Sequence, residues 1–220
     1  MLKNCRKDRH WNLITKSNIG NSYLCPMPEI AEKKDIRAVS LEDLKTFLSE
    51  KGEKPFRAKQ VYEWLWQKSA RSFDDMSNIS LPLRELLKEH FAINAAEIDF
   101  MQVSNDRTIK TAFKLYDGKE VEGVLIPTTS RMTACISSQV GCSLTCKFCA
   151  TGTMERKRNL DYDEIYNQVA FINQQSEKTF DKKLSNVVFM GMGEPLLNYK
   201  NVLKAIDKLI SNDGMAMSPK

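Results

Sequence analysis

Three cysteines within eight residues are the strongest chemical signal in the sequence. Cys142, Cys146 and Cys149 lie in the segment Gly141–Thr153, read GCSLTCKFCATGT, with the spacing C-x3-C-x2-C. This spacing lets three thiolates from one short loop bind a single inorganic centre. A closed iron–sulfur site takes four cysteines, and a closed structural zinc site also takes four ligands. A catalytic centre needs an open position on the metal, so the loop predicts a 4Fe–4S cluster with one free iron.

Two other interpretations of this loop stay open on spacing alone. A zinc site could be completed by Cys135 or by a carboxylate, although structural zinc more often uses two separated C-x2-C pairs and only one is present. Histidine is a poor fourth ligand, because His10 and His90 are the only two and lie far upstream. The other alternative is three unrelated cysteines, which such close grouping disfavours.

The segments around the loop follow a strand–helix–strand–helix order. Thr133–Val140 is a predicted strand that leads into the cysteine loop, and Asp161–Gln174 has helical periodicity with a capping box at its start. Leu184–Met190 is an apolar run, as expected of a strand buried on both faces of a parallel sheet, and an amphipathic helix follows. In such units ligands gather at the C-terminal ends of strands. The cysteine loop and the segment GMGEP at residues 191–195 should therefore face the same mouth.

Two residues upstream of the loop have roles that the pattern leaves open. Glu122 lies between Val121 and Val124 in an apolar strand, where a carboxylate either faces outward or lines a site as a proton acceptor. Cys135 lies on the predicted strand before the loop and should point to the opposite side from Ile136.

The N-terminal half predicts a helical unit and a ribbon. Residues 1–36 show no clear period and predict a disordered or non-native extension, with Cys5 and Cys25 as free thiols. Helices are predicted over Ser40–Gly52, from Pro55 onward and over Pro82–Phe91. A small antiparallel ribbon follows, with strands at Asp99–Val103, Thr111–Leu115 and Val121–Ile126.

Basic and aromatic residues alternate in the second predicted helix. This composition predicts either a contact with RNA or a small helical core with solvated charges. The residues concerned are Phe56, Arg57, Lys59, Trp64, Trp66, Lys68 and Arg71.

Composition restricts the class of protein. The 220 residues are 42% hydrophobic and 28% charged, and the net charge of +5 leans mildly toward a polyanionic partner. No apolar run approaches the roughly 20 residues of a membrane span, and the N-terminus lacks the apolar core of a secretory signal. We therefore expect a cytoplasmic protein with reduced cysteines, used for metal binding or catalysis.

The longer motif around the loop resembles a known family. RMTACISSQVGCSLTCKFCATG, with VEGVLIP upstream and VVFMGMGEPLLN downstream, is similar to the RlmN/Cfr methyltransferases of the radical S-adenosylmethionine superfamily. The resemblance runs from Ser40 to Lys220. It implies an α/β fold, the N-terminal part of a partial (β/α)6 barrel preceded by a helical accessory domain and a β-ribbon. The expected divisions are 1–36 extension, 37–93 RNA-binding helices, 94–128 ribbon and 129–220 incomplete barrel.

The resemblance also implies roles for individual residues. The three loop cysteines would bind the cluster, whose free iron would take the amino and carboxylate groups of S-adenosylmethionine. Gly193 and Glu194 would hold the methionine end of that cofactor, and Phe148 would pack near its adenine. Cys135 matches a cysteine that resolves a covalent intermediate through a transient disulfide, and Glu122 matches a proton acceptor.

The implied reaction is methylation of C2 of adenosine in 23S rRNA and, in some bacteria, in tRNA, through a methyl-cysteine intermediate. The expected partners are these RNAs and an electron donor such as flavodoxin, with the protein itself a monomer. No cysteine follows Cys149, so the family's methyl-carrying cysteine is missing and this chain is expected not to complete turnover. The competing functions are a radical S-adenosylmethionine enzyme with another substrate and a zinc-stabilised RNA-binding module without catalysis.

Overall fold

The fold begins earlier than the sequence pattern predicts. A computed structural model describes residues 33–218, so residues 1–32 of the predicted extension, with Cys5 and Cys25, lie outside the described residues. A compact unit begins at Lys33. Lys34–Asp35 form strand β1, and Ile36 is completely buried. Residues 33–36 therefore belong to the fold, which corrects the predicted boundary after residue 36.

Helices come first in the described region, and strands and helices are mixed in its second half. The helices of residues 33–218, in chain order, are α1 (Leu41–Glu50), α2 (Phe56–Trp66), α3 (Leu81–His90), α4 (Tyr162–Phe180) and α5 (Tyr199–Ile210). The strands are β1 (Lys34–Asp35), β2 (Phe91–Ala92), β3 (Glu97–Val103), β4 (Ile109–Lys114), β5 (Glu120–Pro127), β6 (Met132–Cys135), β7 (Gln139–Val140), β8 (Arg158–Asn159) and β9 (Asn186–Val188). None of the helices in residues 33–218 is long and apolar enough to span a membrane.

The first three helices lie where local sequence signals predict them. The Ser40 side chain accepts a hydrogen bond from the backbone N–H of Asp43 and so caps α1. Gly52 follows α1 with a φ of +78°, a left-handed conformation that glycine adopts readily. The apolar faces of these helices meet in a core that includes Leu44, Leu48, Val61, Leu65, Leu83 and Leu87.

The aromatic residues of α2 divide between the core and the surface. Trp66 is completely buried and stacks on Tyr162 of α4, with the ring centroids 5.6 Å apart. Its backbone carbonyl accepts a hydrogen bond from the Tyr166 hydroxyl. Trp64 is half-buried, and the Lys68 ammonium lies 3.9 Å from its ring centroid. The prediction of a helical core is confirmed for Trp66, while an RNA contact through Trp64 and Lys68 stays a prediction.

The largest sheet joins the predicted ribbon to the predicted barrel strands. Its five strands have the order β3–β4–β5–β6–β9. Strands β3 to β6 are antiparallel to their neighbours, whereas β6 and β9 are parallel and are connected through α4. The βαβ unit is therefore confirmed. The sheet continues across residue 128, where the sequence pattern places a boundary between ribbon and barrel, and the partial (β/α)6 barrel stays a prediction.

Helix α4 packs on one face of this sheet. The predicted capping box of Asp161 and Glu164 begins the helix, which continues to Phe180 rather than ending at Gln174. The helix approaches closely at Gly123, where an added Cβ would lie 3.0 Å from the Cδ1 of Ile172. The buried residues between sheet and helix include Val121, Leu125, Ala134, Ile165, Val169 and Ile172.

The opposite face of the sheet is more open. Val124 pairs with Cys135, and Cys135 pairs with Val188, so these side chains share a face with Glu122, two residues from Val124. Glu122 is exposed, and the other three residues are half-buried. The predicted strand Leu184–Met190 shortens to β9. Its burial on both faces is a wrong prediction for the described residues, because all three residues of β9 are only half-buried.

Buried charges attach the start of the fold to α4. The Arg37 guanidinium is almost fully buried and lies 2.9 Å from a carboxylate oxygen of Asp35 and 3.3 Å from one of Asp163. The Tyr162 hydroxyl donates a hydrogen bond to the backbone carbonyl of Arg37. Burial raises the pKa of Asp163 to about 7, against the opposing effect of Arg37.

Candidate functional site

The three loop cysteines lie in a long connection between β7 and β8. These two strands pair in antiparallel fashion, so the connection starts and ends at the same place. The Lys157 N–H donates to the Val140 carbonyl over 2.8 Å and closes the base of the loop. Gly141 has a φ of +72°, and an added Cβ would overlap the carbonyl oxygen of Glu155. Only glycine fits at this entry to the loop.

The cysteine side chains are accessible and unpaired. Each of the four cysteines in residues 33–218 is a free thiol; Cys146 is exposed, and Cys142 and Cys149 are half-buried. The Cys149 N–H donates to the Cys146 carbonyl over 3.0 Å and turns the chain between these two residues. The Leu144 N–H points at the Cys142 sulfur over 3.4 Å. One backbone donor is therefore directed at the sulfur of the first loop cysteine.

This donor set fits an iron–sulfur cluster. In the described part of the chain, no three His, Cys, Asp or Glu side chains are grouped to hold one metal ion. A single zinc ion needs its ligand atoms about 2.0–2.3 Å from one point. The thiolates of a 4Fe–4S cluster each bind a different iron, so they are spread around a larger body. Three accessible thiols on one loop are the sulfur donors that such a cluster takes.

The segment GMGEP packs against the residues that precede the cysteine loop. The Gly191 N–H donates to the Ile136 carbonyl, and the Met192 N–H donates to the Ser137 hydroxyl over 2.8 Å. The Met192 carbonyl accepts the N–H groups of Ser138 and Gln139. These contacts explain why the predicted strand Thr133–Val140 is interrupted. Its residues 136–138 bind this segment, which leaves β6 and β7 as separate strands.

Gly193 and Glu194 lie directly against Gln139. Gly193 has a φ of +90°, and an added Cβ would lie 2.5 Å from the Gln139 Cβ. The Glu194 N–H donates to the Gln139 Oε1 over 2.9 Å. One carboxylate oxygen of Glu194 accepts from the Leu196 N–H and caps a short 3-10 turn. GMGEP therefore lies next to the start of the cysteine loop, since Gln139 lies two residues before that loop, and a common mouth of a barrel stays a prediction.

Glu122 and Cys135 lie on the open face of the sheet. Glu122 forms an ion pair with Lys110, with 2.6 Å between Nζ and Oε1, and both side chains are about half exposed. Cys135 is a half-buried free thiol. Burial raises the pKa of Cys135, while a hydrogen bond from the Met190 backbone opposes the rise. The roles of Glu122 and Cys135 stay predictions, and so does that of Phe148, whose side chain is 94% exposed.

Several buried polar residues of the site were not among the predicted site residues. Ser137, Ser138 and Gln139 are at most 2% exposed, and their side chains or backbone bind residues 192–198. Asn198 donates from its Nδ2 to the carbonyls of Ser138 and Leu160. The sequence did contain a signal for them, namely three consecutive polar residues inside a predicted strand. A buried strand tolerates polar side chains only when these form hydrogen bonds with other residues.

Arg158 anchors the end of the cysteine loop. Its guanidinium donates to both carboxylate oxygens of Glu164 at 2.7 and 2.8 Å and to Asp117 at 2.7 Å. This bidentate contact ties the loop to the start of α4, and the contact with Asp117 ties it to the turn between β4 and β5. The neighbouring guanidinium holds the pKa of the Asp117 carboxyl well below its usual range.

Two family models match this chain. Residues 34–93 match the "Ribosomal RNA large subunit methyltransferase N-terminal domain". Residues 136–218 match the "Radical SAM superfamily" and include the cysteine loop and GMGEP. The radical SAM family implies a 4Fe–4S cluster and S-adenosylmethionine as cofactors.

Individual relatives agree with these matches. The chain is 58% identical over 198 residues to the "Probable dual-specificity RNA methyltransferase RlmN" of Christiangramia forsetii, covering 90% of this chain and 56% of that protein. It is 58% identical over 201 residues to the protein of the same name from Cytophaga hutchinsonii, covering 90% and 55%. A crystal structure of a radical SAM methyltransferase from Sphaerobacter thermophilus matches with a TM-score of 0.76 and 32% identity, covering 84% of this chain and 54% of that one.

The chain thus spans about half the length of the curated relatives it matches. The matched residues nevertheless extend over both the helical region and the cofactor site. They show that the chain belongs to the RlmN family of radical SAM proteins.

Proposed function

We propose that the protein to which these residues belong methylates C2 of adenosine in 23S rRNA, and in tRNA, by radical S-adenosylmethionine chemistry. The observation that supports this most is the contact between GMGEP and the residues that lead into the cysteine loop. The Gln139 and Ser137 side chains bind the backbone of Glu194 and Met192, immediately before the loop begins. A cofactor that touches both an iron and a carboxylate needs these two segments side by side.

The two segments divide the work of holding the cofactors. Cys142, Cys146 and Cys149 hold the cluster through their thiolates. The backbone at Gly193, which carries no side chain, and the carboxylate of Glu194 hold the methionine end of S-adenosylmethionine, since a carboxylate suits an ammonium group. When bound, the cluster and S-adenosylmethionine supply the one-electron chemistry that the unreactive C2 of adenine requires.

The open face of the sheet supplies the remaining groups. Glu122 accepts a proton during the reaction, and its Oε1 lies 2.6 Å from the Lys110 Nζ on this face. Cys135, on the same face, resolves the methyl-cysteine intermediate through a transient disulfide. Phe148, exposed beside the last loop cysteine, closes over the adenine of the cofactor.

The remaining partners follow from the same proposal. The helical unit with its exposed Lys68 and half-buried Trp64 contacts RNA, and an electron donor such as flavodoxin reduces the cluster. The methyl-carrying cysteine is not among these 220 residues, since no cysteine follows Cys149. This chain alone therefore produces no C2-methyladenosine. The proposal also includes that the protein acts as a monomer in the cytoplasm.

Metal analysis of cysteine variants tests the proposal. After anaerobic reconstitution with iron and sulfide, the chain should hold about four irons. Cys146→Ser should lose most of this iron, whereas the matched control Cys135→Ser should retain it, because Cys135 is not a cluster ligand. Stoichiometric zinc in place of iron, lost in Cys135→Ser as well, would contradict the proposal and favour a zinc-stabilised RNA-binding module.

A further inference from the structure

Gln139 is a buried polar residue that is not assigned to binding either the cluster or S-adenosylmethionine. Its side chain is completely buried at the start of β7, two residues before the cysteine loop. Its Oε1 accepts the N–H of Glu194 over 2.9 Å, and its Nε2 donates to the Oδ1 of Asn159 over 2.7 Å. Both ends of the amide are therefore used.

The contacts of Gln139 join three segments. Gln139 lies on β7, which precedes the cysteine loop, and Asn159 lies on β8, which follows it. Glu194 belongs to GMGEP, and Asn159 reaches the same region by donating to the Leu197 carbonyl over 3.3 Å. The packing is also tight, because a Cβ added at Gly193 would lie 2.5 Å from the Gln139 Cβ and 2.7 Å from its Cγ.

We propose that Gln139 is a positioning residue that sets the placement of Glu194 relative to the cluster loop. This inference rests on the proposed function, in which S-adenosylmethionine touches both segments at once. A ligand held at two places binds more tightly when the protein fixes their separation in advance. Gln139 fixes this separation through its backbone and side-chain contacts with GMGEP and Asn159, and it does not itself touch the cofactor.

The amide group suits this task because it donates and accepts at once. Leucine has a similar size and can do neither, so Gln139→Leu removes both hydrogen bonds while keeping most of the packing. It leaves the Glu194 N–H and the Asn159 Oδ1 without their partner. The expected consequence is a Glu194 backbone that moves more freely against the cysteine loop.

Gln168 provides a matched control. It is also a completely buried glutamine, and it binds the same stretch of chain from the α4 side. Its Oε1 accepts the Ser137 N–H over 3.0 Å, and its Nε2 donates to the Ser137 carbonyl over 3.1 Å. Gln168 also donates to the Glu164 carbonyl over 3.3 Å and does not bind Glu194 or Asn159, so Gln168→Leu removes hydrogen bonds of the same kind and leaves those of Gln139 in place.

The test compares the two variants in the reconstituted 220-residue chain. Gln139→Leu should keep its iron, bind S-adenosylmethionine about tenfold more weakly as followed by the EPR change of the reduced cluster, and accelerate amide hydrogen exchange at Glu194. Gln168→Leu should change both within about twofold. Asn159→Ala, which removes the partner of the Gln139 Nε2 at a half-buried position, should weaken binding in the same direction but less.

Equal effects of Gln139→Leu and Gln168→Leu on affinity and on Glu194 exchange would overturn the proposal, because both would then report general destabilisation. If the unmodified chain binds a cluster but ignores S-adenosylmethionine, the proposed function fails instead. In that case, amide hydrogen exchange at Glu194, measured in the metal-free chain, still tests whether Gln139 positions this residue. Unchanged exchange at Glu194 in Gln139→Leu would overturn it.

Discussion

Replacing Gly193 with alanine tests whether GMGEP is pressed against the start of the cysteine loop. Gly193 has a φ of +90°, in the left-handed region where a Cβ is disfavoured. The added methyl would also lie 2.5 Å from the Gln139 Cβ and 2.9 Å from the Gln139 backbone nitrogen. That nitrogen donates to the Met192 carbonyl over 3.2 Å, so it cannot retreat without loss of a hydrogen bond.

The cost has two parts that can be separated. A non-glycine residue in the left-handed region costs about 1–2 kcal/mol. Forcing an extra methyl into a packed site costs about 1–3 kcal/mol more. Gly193→Ala should therefore lower the free energy of unfolding by about 2–5 kcal/mol. Gly118 is the matched control, because its φ is +75° but nothing lies within 4 Å of an added Cβ. Gly118→Ala should cost about 1–2 kcal/mol.

Urea unfolding of the two variants and the unmodified chain measures both costs. The difference between Gly193→Ala and Gly118→Ala isolates the overlap with Gln139. Gly193→Ala should also weaken S-adenosylmethionine binding, whereas Gly118→Ala, in the turn between β4 and β5, should not. Equal losses of stability in the two variants would refute the close packing of GMGEP on Gln139.

Two further predictions concern the parts of the fold that support the site. Trp66→Ala should lower the free energy of unfolding by about 3–5 kcal/mol because it empties a fully buried space beside Tyr162. Trp64→Ala should lower it by less than half as much. Equal losses of stability in urea unfolding would contradict the core assignment of Trp66. Burial raises the pKa of Asp163 to about 7. The folded state therefore keeps a proton that the unfolded chain releases above about pH 4. This proton contributes at most about 4 kcal/mol to the free energy of unfolding, and the contribution is lost as the pH rises through 7. Unfolding at pH 5 and pH 8 should therefore show a smaller pH-dependent loss in Asp163→Asn than in the parent, and the same loss in both would contradict the raised pKa. The charged groups that act on Asp163 are Arg37, Asp35, Glu164 and Asp161.

Local signals predicted much of the fold. The Ser40 cap and the Asp161–Glu164 capping box correctly marked the starts of α1 and α4, because a cap depends on residues three apart. The interruption after Cys135 could not be predicted in this way. It depends on hydrogen bonds between residues 136–139 and residues 191–194, which are 55 residues away along the chain.

The same distinction applies to the candidate site. The cysteine spacing is local, and it predicted the loop without knowledge of the fold. Gln139 was not predicted, because its partners Asn159 and Glu194 lie 20 and 55 residues away and only the folded chain brings them together. The shared face of Glu122 and Cys135 likewise depends on the register between β5 and β6, which pairs Val124 with Cys135.

The most direct test of the two-segment cofactor site is the EPR spectrum of the reduced, reconstituted chain with and without S-adenosylmethionine. The cofactor should change the cluster signal in the parent chain, because a ligand held at Gly193 and Glu194 would also bind the open iron of the cluster. Glu194→Gln should retain the cluster and lose most of the response. A cluster signal that stays the same on addition of S-adenosylmethionine to the parent would contradict the central claim.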